Sequence, residues 1–465
     1  MKIKKSVMTN NSPRIRQLKK QSSHPTVEKW FDIETAIIGW WIAGTMTAYF
    51  LLSETNKKIC LLEGYKIAHW ATGHNAGQIV GYFEKSFSEI VDQYGANMAL
   101  KAQKDISWAR ELLENIVESC NLKTPISIFQ GYAGCQTAHQ VIEHLEKKLL
   151  RESWWIHIDT ILVDENWIKK NEIPKKYEHL YSTISSEKIK ILLNTNQEDY
   201  IAVLSTKKWC TNSALLCEEL LLYLQNKYAD RFTVYENTPI KQINCFSENT
   251  VLSTEKGEKI TAKNTILCTN GFESIEIKNH AWWDIDKKFH EMVEWVTWYM
   301  AGYLDKPGQD PTAISYFLKP WEILESVNEM DVYFYLTRRN YELENNKHSL
   351  VCIGWPEVFL AEKTLYDRNH LYPQEHQQKI DNFLHQTYEP SPKWEINYEF
   401  KRHWLMGYTH NWLRCIGPDP KNSRLFYNLW CNGVGILSSI FGGYKIAQFM
   451  LWKVTEKSIF DPVYQ

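Results

Sequence analysis

Apolar and polar positions change rhythm several times along this chain, and each change marks an element. Ile33-Glu34-Thr35-Ala36-Ile37-Ile38 is a β-branched run that stops at Gly39, and the apolar stretch from Trp40 to Leu52 behind it suits a buried helix. A second short apolar run, Lys58 to Leu62, ends on Glu63. Helical spacing returns over about 96–119 (Leu100, Ile106, Leu112, Leu113, Ile116, Val117) and about 139–151, whereas Lys188 to Val203 reads as mixed and β-like. Thr211-Asn212-Ser213 offers an N-cap to a helix carrying Leu215, Leu216, Leu220 and Leu224. Phe232 to Cys268 reads as short strands with Gly257 in a turn. From about 287 to 400, β-rich runs (Glu291 to Leu304, Asp331 to Thr337, Leu350 to Gly354) surround one helix near 373–387, and Gly433-Val434-Gly435-Ile436 opens a final helix to about Lys453.

The opening order of strand, glycine turn, helix, strand and acid is that of a dinucleotide-binding βαβ unit. In such a unit the pyrophosphate rests on the helix N-terminus and the acid holds a ribose hydroxyl. Glu63 lies 19 residues after Gly44, which suits the acid. The fingerprint G-x-G-x-x-G, however, reads Gly39-x-Trp41-x-x-Gly44. Its middle glycine lets backbone approach the phosphates, and an indole fills that space. Next comes Ala71-Thr72-Gly73-His74-Asn75-Ala76-Gly77-Gln78, whose small residues imply a tight loop with free backbone amides.

Length and charge narrow the class. At 465 residues the prior is two or so domains, and a formal net charge of -2 gives no single-sign field for nucleic acid. Ten cysteines include no C-x-x-C pair and no His/Cys run at metal-ligand spacing, so no metal site is expected and a reduced, cytoplasmic setting is the simplest fit. No apolar stretch is long enough for a transmembrane segment. Residues 1–30 read as a flexible basic lead without the apolar core of a signal peptide.

Tryptophan is the anomaly: twenty Trp stand beside only twenty Gly. Trp40, Trp41, Trp70, Trp355 and Trp430 all fall in or beside turns that call for glycine. Some bacterial lineages read UGA as glycine where a common translation table writes tryptophan, so glycine at these positions in the working protein is one expectation. A Trp-rich, degenerate relative is the other.

Four blocks, in order, carry a resemblance: the fingerprint with Glu63, the 71–78 loop, Ile266 to Cys268 with Thr269-Asn270-Gly271, and Gly433-Val434-Gly435-Ile436. Over nearly everything after residue 30 the chain resembles the D-amino-acid oxidase (DAO) superfamily of FAD-dependent oxidoreductases, near its glycine-oxidase, sarcosine-oxidase and gamma-glutamylputrescine-oxidase-like branches. The resemblance implies an α/β fold: a Rossmann-like FAD-binding domain of glutathione-reductase type (31–120, 205–280 and 400–465) interleaved with a β-rich α+β substrate domain (121–204 and 281–399). It places FAD against Gly39, Trp40, Trp41, Ile42, Ala43, Gly44, Glu63, Gly64, Thr72, Gly73, His74, Asn75, Ala76, Gly77, Gln78 and Ile79. It adds Ile240, Thr269, Asn270 and Gly271, and, for the flavin pyrimidine ring, Gly433, Val434, Gly435, Ile436 and Leu437.

Met406 stands where sarcosine-oxidase relatives link flavin through cysteine, and His74 where dimethylglycine-dehydrogenase relatives link it through histidine; FAD is expected without a covalent bond. The implied reaction oxidises the C–N bond of an amino acid or amine by hydride transfer to flavin N5, with the imine hydrolysed and O2 or another acceptor taking the electrons. Arg338 and Arg339 are candidates to pair a substrate carboxylate, and His403 and Tyr408 are candidates above the flavin. Arg414 either sits near the flavin edge or caps a strand. Two alternatives stay open: a dehydrogenase of the same fold feeding a quinone or carrier protein, and a cofactor-free binding or structural protein on a degenerate flavoprotein scaffold.

Overall fold

The computed structural model describes the chain except residues 1–9, 20–23, 155, 157–158, 171–172, 270–274, 281–283, 287–292, 320–332, 361–365, 389–395, 454–455 and 465. Two large sheets with helices make up a mixed α/β fold. In the first sheet, Phe31–Ile38 lies parallel between Ile59–Leu62 and Lys259–Leu267. Phe232–Tyr235 extends it beyond Ile59–Leu62, and Asn422–Leu429 joins the end of Lys259–Leu267, also in parallel. Every residue of Ile59–Leu62 and the last four of Phe31–Ile38 are buried, as expected of parallel strands covered on both faces. On one face pack Ile42–Glu54, Ala96–Ser119, Ser213–Lys227 and the last helix, Ile436–Met450.

The second sheet runs in the order Phe400–Thr409, Val293–Asp305, Asn346–Leu360, Tyr333–Leu343, Thr312–Phe317, Ser127–Cys135, Ala202–Cys210, Thr160–Asp164, Tyr181–Ile184. Its outer helices include Gln374–Tyr388. Phe400–Thr409 pairs antiparallel with Val293–Asp305, so this stretch lies in the second sheet although the expected division grouped it with the FAD-binding residues. The short strand Gln78–Ile79 pairs with Ala202–Cys210 and pins the 71–78 loop between the two sheets.

Two local expectations differ from the structure. Ser186–Leu193 is a helix, where a β-like stretch was expected: Ser185 accepts the Lys188 amide as N-cap, and Asn194 ends the helix in the left-handed region. The described part of the lead is bound to the body of the protein. Arg14 is buried and donates to the carbonyls of Asn75 (2.7 Å), Ala76 and Thr211 (3.1 Å), while the Ser12 hydroxyl donates to Gly73 O. A buried guanidinium needs such acceptors, and the glycine loop supplies them.

Candidate active site

The phosphate loop is built for two glycines. Gly39 has φ +97°, and a Cβ there would lie 2.8 Å from Cys268 O; a Cβ on Gly44 would run into Gly39 O. Helix and strand therefore approach as the fingerprint requires. Between them, Trp40 is 1% exposed, and its indole Nε1 is buried without a hydrogen-bond partner. Trp41, extended at the N-cap, lends no side-chain cap, and its indole forms part of a cavity wall. Ile42 N–H donates to Thr72 Oγ1 at 3.1 Å.

Glu63 is 2% exposed and fully engaged. Its Oε2 accepts from Trp40 N–H at 2.8 Å, and its Oε1 from Tyr65 N–H at 2.9 Å and from Trp70 Nε1–H at 3.0 Å. Burial raises its pKa while these donors oppose the rise. The Arg368 guanidinium stacks over Tyr65 and Trp70, at 3.6 and 4.9 Å from the ring centroids. The carboxylate suited to a ribose thus has an indole N–H where a ribose hydroxyl belongs.

A cavity lies between the sheets. Its floor comes from Trp41, Ile42, Ala43 and Thr72, from Asn75 to Gln78, and from Gly433 to Ile436, so three of the four sequence blocks meet there. Tyr82, Glu84, Lys208, Tyr333 and Tyr335 line it as well, Glu84 beside Gly433. Gly39, Trp40, Gly44, Glu63, Gly64, Gly73, His74, Ile79, Ile240, Thr269 and Leu437 are outside its lining, and Asn270 and Gly271 lie outside the described residues. Gly433 is at φ +74°, and a Cβ on it would lie 2.8 Å from the Tyr408 hydroxyl and 2.9 Å from Glu84 Oε1, so only hydrogen fits.

The candidate side chains divide. Met406 and Arg414 line the cavity, but Arg414 is spent on Asn428 Oδ1 (2.7 Å), Asn428 O (2.8 Å) and Trp430 O (3.4 Å). Tyr408 stands just behind Gly433 and donates to Glu357 Oε1 at 2.9 Å. Arg338 and Arg339 are outside the lining, and Arg339 donates to the carbonyl of the lining residue Ala76. His403, 1% exposed, places Nε2 3.0 Å from His370 O among the rings of Tyr299 and Tyr366. His74 is 3% exposed, and burial with Arg402 and His403 nearby holds its pKa well below the usual value, so its imidazole is neutral.

Sequence reasoning missed Tyr82, Glu84, Lys208 and the second carboxyl, Glu357. Burial, with Glu357 close by, pushes the Glu84 carboxyl up to about 8; burial raises Glu357 to about 7 against the Tyr408 hydrogen bond. One signal was available: Tyr82 and Glu84 follow the 71–78 loop directly, with the alternation of a strand-like wall.

An FAD molecule finds half of its site ready. The cavity opens on the start of Ile436–Met450, whose N-terminal partial charge suits an electron-rich ring. At the ribose–pyrophosphate end, the indoles of Trp41 and Trp70 occupy the loop and the acid. Tryptophan is also strained elsewhere: Trp412, Trp430 and Trp452 have φ of 60°, 62° and 58°, a left-handed region in which six of the other eight non-glycine residues described are asparagine. Trp355 stacks on Phe334, ring centroids 4.5 Å apart, with Nε1 buried and unbonded.

Comparisons with known proteins bear on the fold and the family. The family model DAO, FAD dependent oxidoreductase, matches residues 34–449. Among solved structures the chain is similar to glycine oxidase from Geobacillus kaustophilus (13% identity, 92% of this chain and 98% of that one covered, TM-score 0.65). It is similar also to L-proline dehydrogenase from P. horikoshii (12%, 95% and 98%, TM-score 0.64) and to FAD-bound L-alpha-glycerophosphate oxidase from Mycoplasma pneumoniae (13%, 92% and 97%, TM-score 0.61). No curated protein matches the chain. At these identities the structures show the fold, and the match over nearly the whole sequence shows the family: the chain belongs to the DAO family of FAD-dependent oxidoreductases.

Proposed function

We propose that this chain oxidises the C–N bond of an amino acid or amine, using FAD held without a covalent link, and that its working form carries glycine at positions 40, 41, 70, 355 and 430. The observation that carries the reading is the cavity where Gly433 to Ile436 and the 71–78 loop face a wall of tyrosines, Glu84 and Lys208. An amino acid deaminase and amino acid oxidases among the similar structures support the reaction class. Bound flavin supplies a two-electron acceptor for the hydride of the carbon next to nitrogen.

The chain's own residues do the rest. The amides at the start of the last helix favour negative charge on the ring they face. Glu84 Oε1, beside Gly433, takes the proton of the substrate ammonium, which leaves the amine neutral for oxidation. Trp41 and Met406 border the floor, and Met406 offers no thiol for a bond to flavin. Glycine at 41 and 70 clears the phosphate path and frees Glu63 Oε1 for a ribose hydroxyl.

The test compares protein purified from its own cells with recombinant chain as written and with a version carrying glycine at those five positions. The native and glycine proteins are expected to be yellow and to bleach anaerobically with an amine or amino acid; recovery of colour in air marks an oxidase, and its failure a dehydrogenase. Colourless native protein would overturn the reading and leave the cofactor-free scaffold.

A further inference from the structure

We propose that Lys208 and Glu84 are the opposite-charge anchors of the substrate pocket, so that the chain selects a zwitterionic α-amino acid over a simple amine or a simple acid. The inference rests on reading the cavity as the substrate site, and it replaces Arg338 and Arg339 in the role of carboxylate partner.

Lys208 is placed by a gap in the neighbouring strand. Ser127–Cys135 pairs with Ala202–Cys210, and a Cβ on Gly131 would overlap the Lys208 Cγ, so the lysine stem crosses the strand only because residue 131 is glycine. Its Nζ reaches the cavity 5.9 Å from the Tyr82 ring centroid. Among the described residues it has no hydrogen bond or ion pair; Asp159 acts on it only from a distance, and burial lowers its pKa. Lys208 is half-buried at the cavity wall, and a ligand carboxylate gives its ammonium the bonded anion it lacks there.

Glu84 is the complement. Its Oε1 lies beside Gly433, at the end of the cavity where the last helix begins. The charged or titratable groups that face it are Glu357, Tyr408, Tyr333 and Tyr82, so among the described residues no cation neutralises it. Lys208 is not among the groups that shift it, and Glu84, pushed up to about 8 in the free site, is left for a ligand ammonium to draw into its ionised form. Between them, Tyr82, Tyr333 and Tyr335 give ring faces for the carbon skeleton. None of these side chains is tryptophan, although Trp41, Trp298 and Trp404 line the same cavity.

Three isosteric probes without hydrogen on the reacting carbon separate the charges: 2-aminoisobutyrate, pivalate and tert-butylamine. None can be oxidised there, so calorimetric binding to the flavin-loaded protein reads the anchors without turnover. The zwitterion is expected to bind roughly tenfold or more tighter than either singly charged probe, the scale of one charge-assisted hydrogen bond. Lys208→Met is expected to abolish its advantage over tert-butylamine, Lys208→Arg to restore part of it, and Glu84→Gln to abolish its advantage over pivalate. An unchanged zwitterion-to-amine ratio in Lys208→Met overturns the proposal, as does absence of binding by all three probes. Bleaching of the flavin by an amine alongside either result leaves the proposed reaction standing, whereas the expected binding pattern without bleaching by any amine or amino acid sinks the reaction and keeps the anchors.

Discussion

Desolvation pushes two carboxyls of one protein wall up, Glu84 to about 8 with Glu357 adding to the rise, and Glu357 to about 7 against the Tyr408 hydrogen bond. The sign for stability follows. In the folded chain Glu84 keeps a proton that the unfolded chain releases near the ordinary value of 4.5, so folding stability falls as pH rises from there to about 8. Thermal unfolding of ligand-free protein across that range is expected to show a falling midpoint, and Glu84→Gln a flatter profile. An equal slope in both proteins would remove Glu84 from the account. In turnover the ionised form is the useful one, so kcat/KM is expected to rise with pH through about 8, a rise that Glu84→Gln abolishes. The sequence placed Glu84 only as a residue following the 71–78 loop and gave no sign of Glu357, because what singles them out is their approach to each other beside Gly433 and Tyr408, made by residues far apart in the chain. Glu63 was legible, since its spacing from Gly44 is local.

At the scale of the element, the end of the last helix is instructive. After Met450, Trp452 N–H bonds Phe449 O at 3.0 Å and Lys453 N–H bonds Gln448 O at 3.1 Å, the paired bonds of a Schellman cap. The residue in the left-handed position is Trp452, 90% exposed, where glycine is the usual occupant. A left-handed L-residue costs roughly 1–2 kcal/mol, which glycine avoids in part against its own larger unfolded-state entropy. Trp452→Gly is therefore expected to stabilise the chain by about 1 kcal/mol in urea titration, and destabilisation would argue that the indole belongs there. Ala96–Ser119 and Ala138–Glu152 were readable from apolar spacing because each buries one stripe. Ser186–Leu193 was not, since its short apolar run fits either period and Ser185 and Asn194 settle the matter.

At the scale of the molecule, the two sheets meet over a cavity that several distant segments line together, and the family's order of motifs follows from that convergence. The β-rich second sheet was visible as alternating runs, but which of its residues face the cavity depends on pairing between strands nearly two hundred residues apart, such as Thr312–Phe317 with Ser127–Cys135. The family and the fold fit a cofactor-binding protein, whereas the phosphate loop, with glycine's approach at Gly39 and Gly44, holds an indole at its centre. The central claim, a working FAD site, is tested most directly by mass spectrometry of the peptide from Phe31 to Lys57 in protein isolated from its native source. Glycine at 40 and 41 is the result this account predicts; tryptophan at both would contradict it.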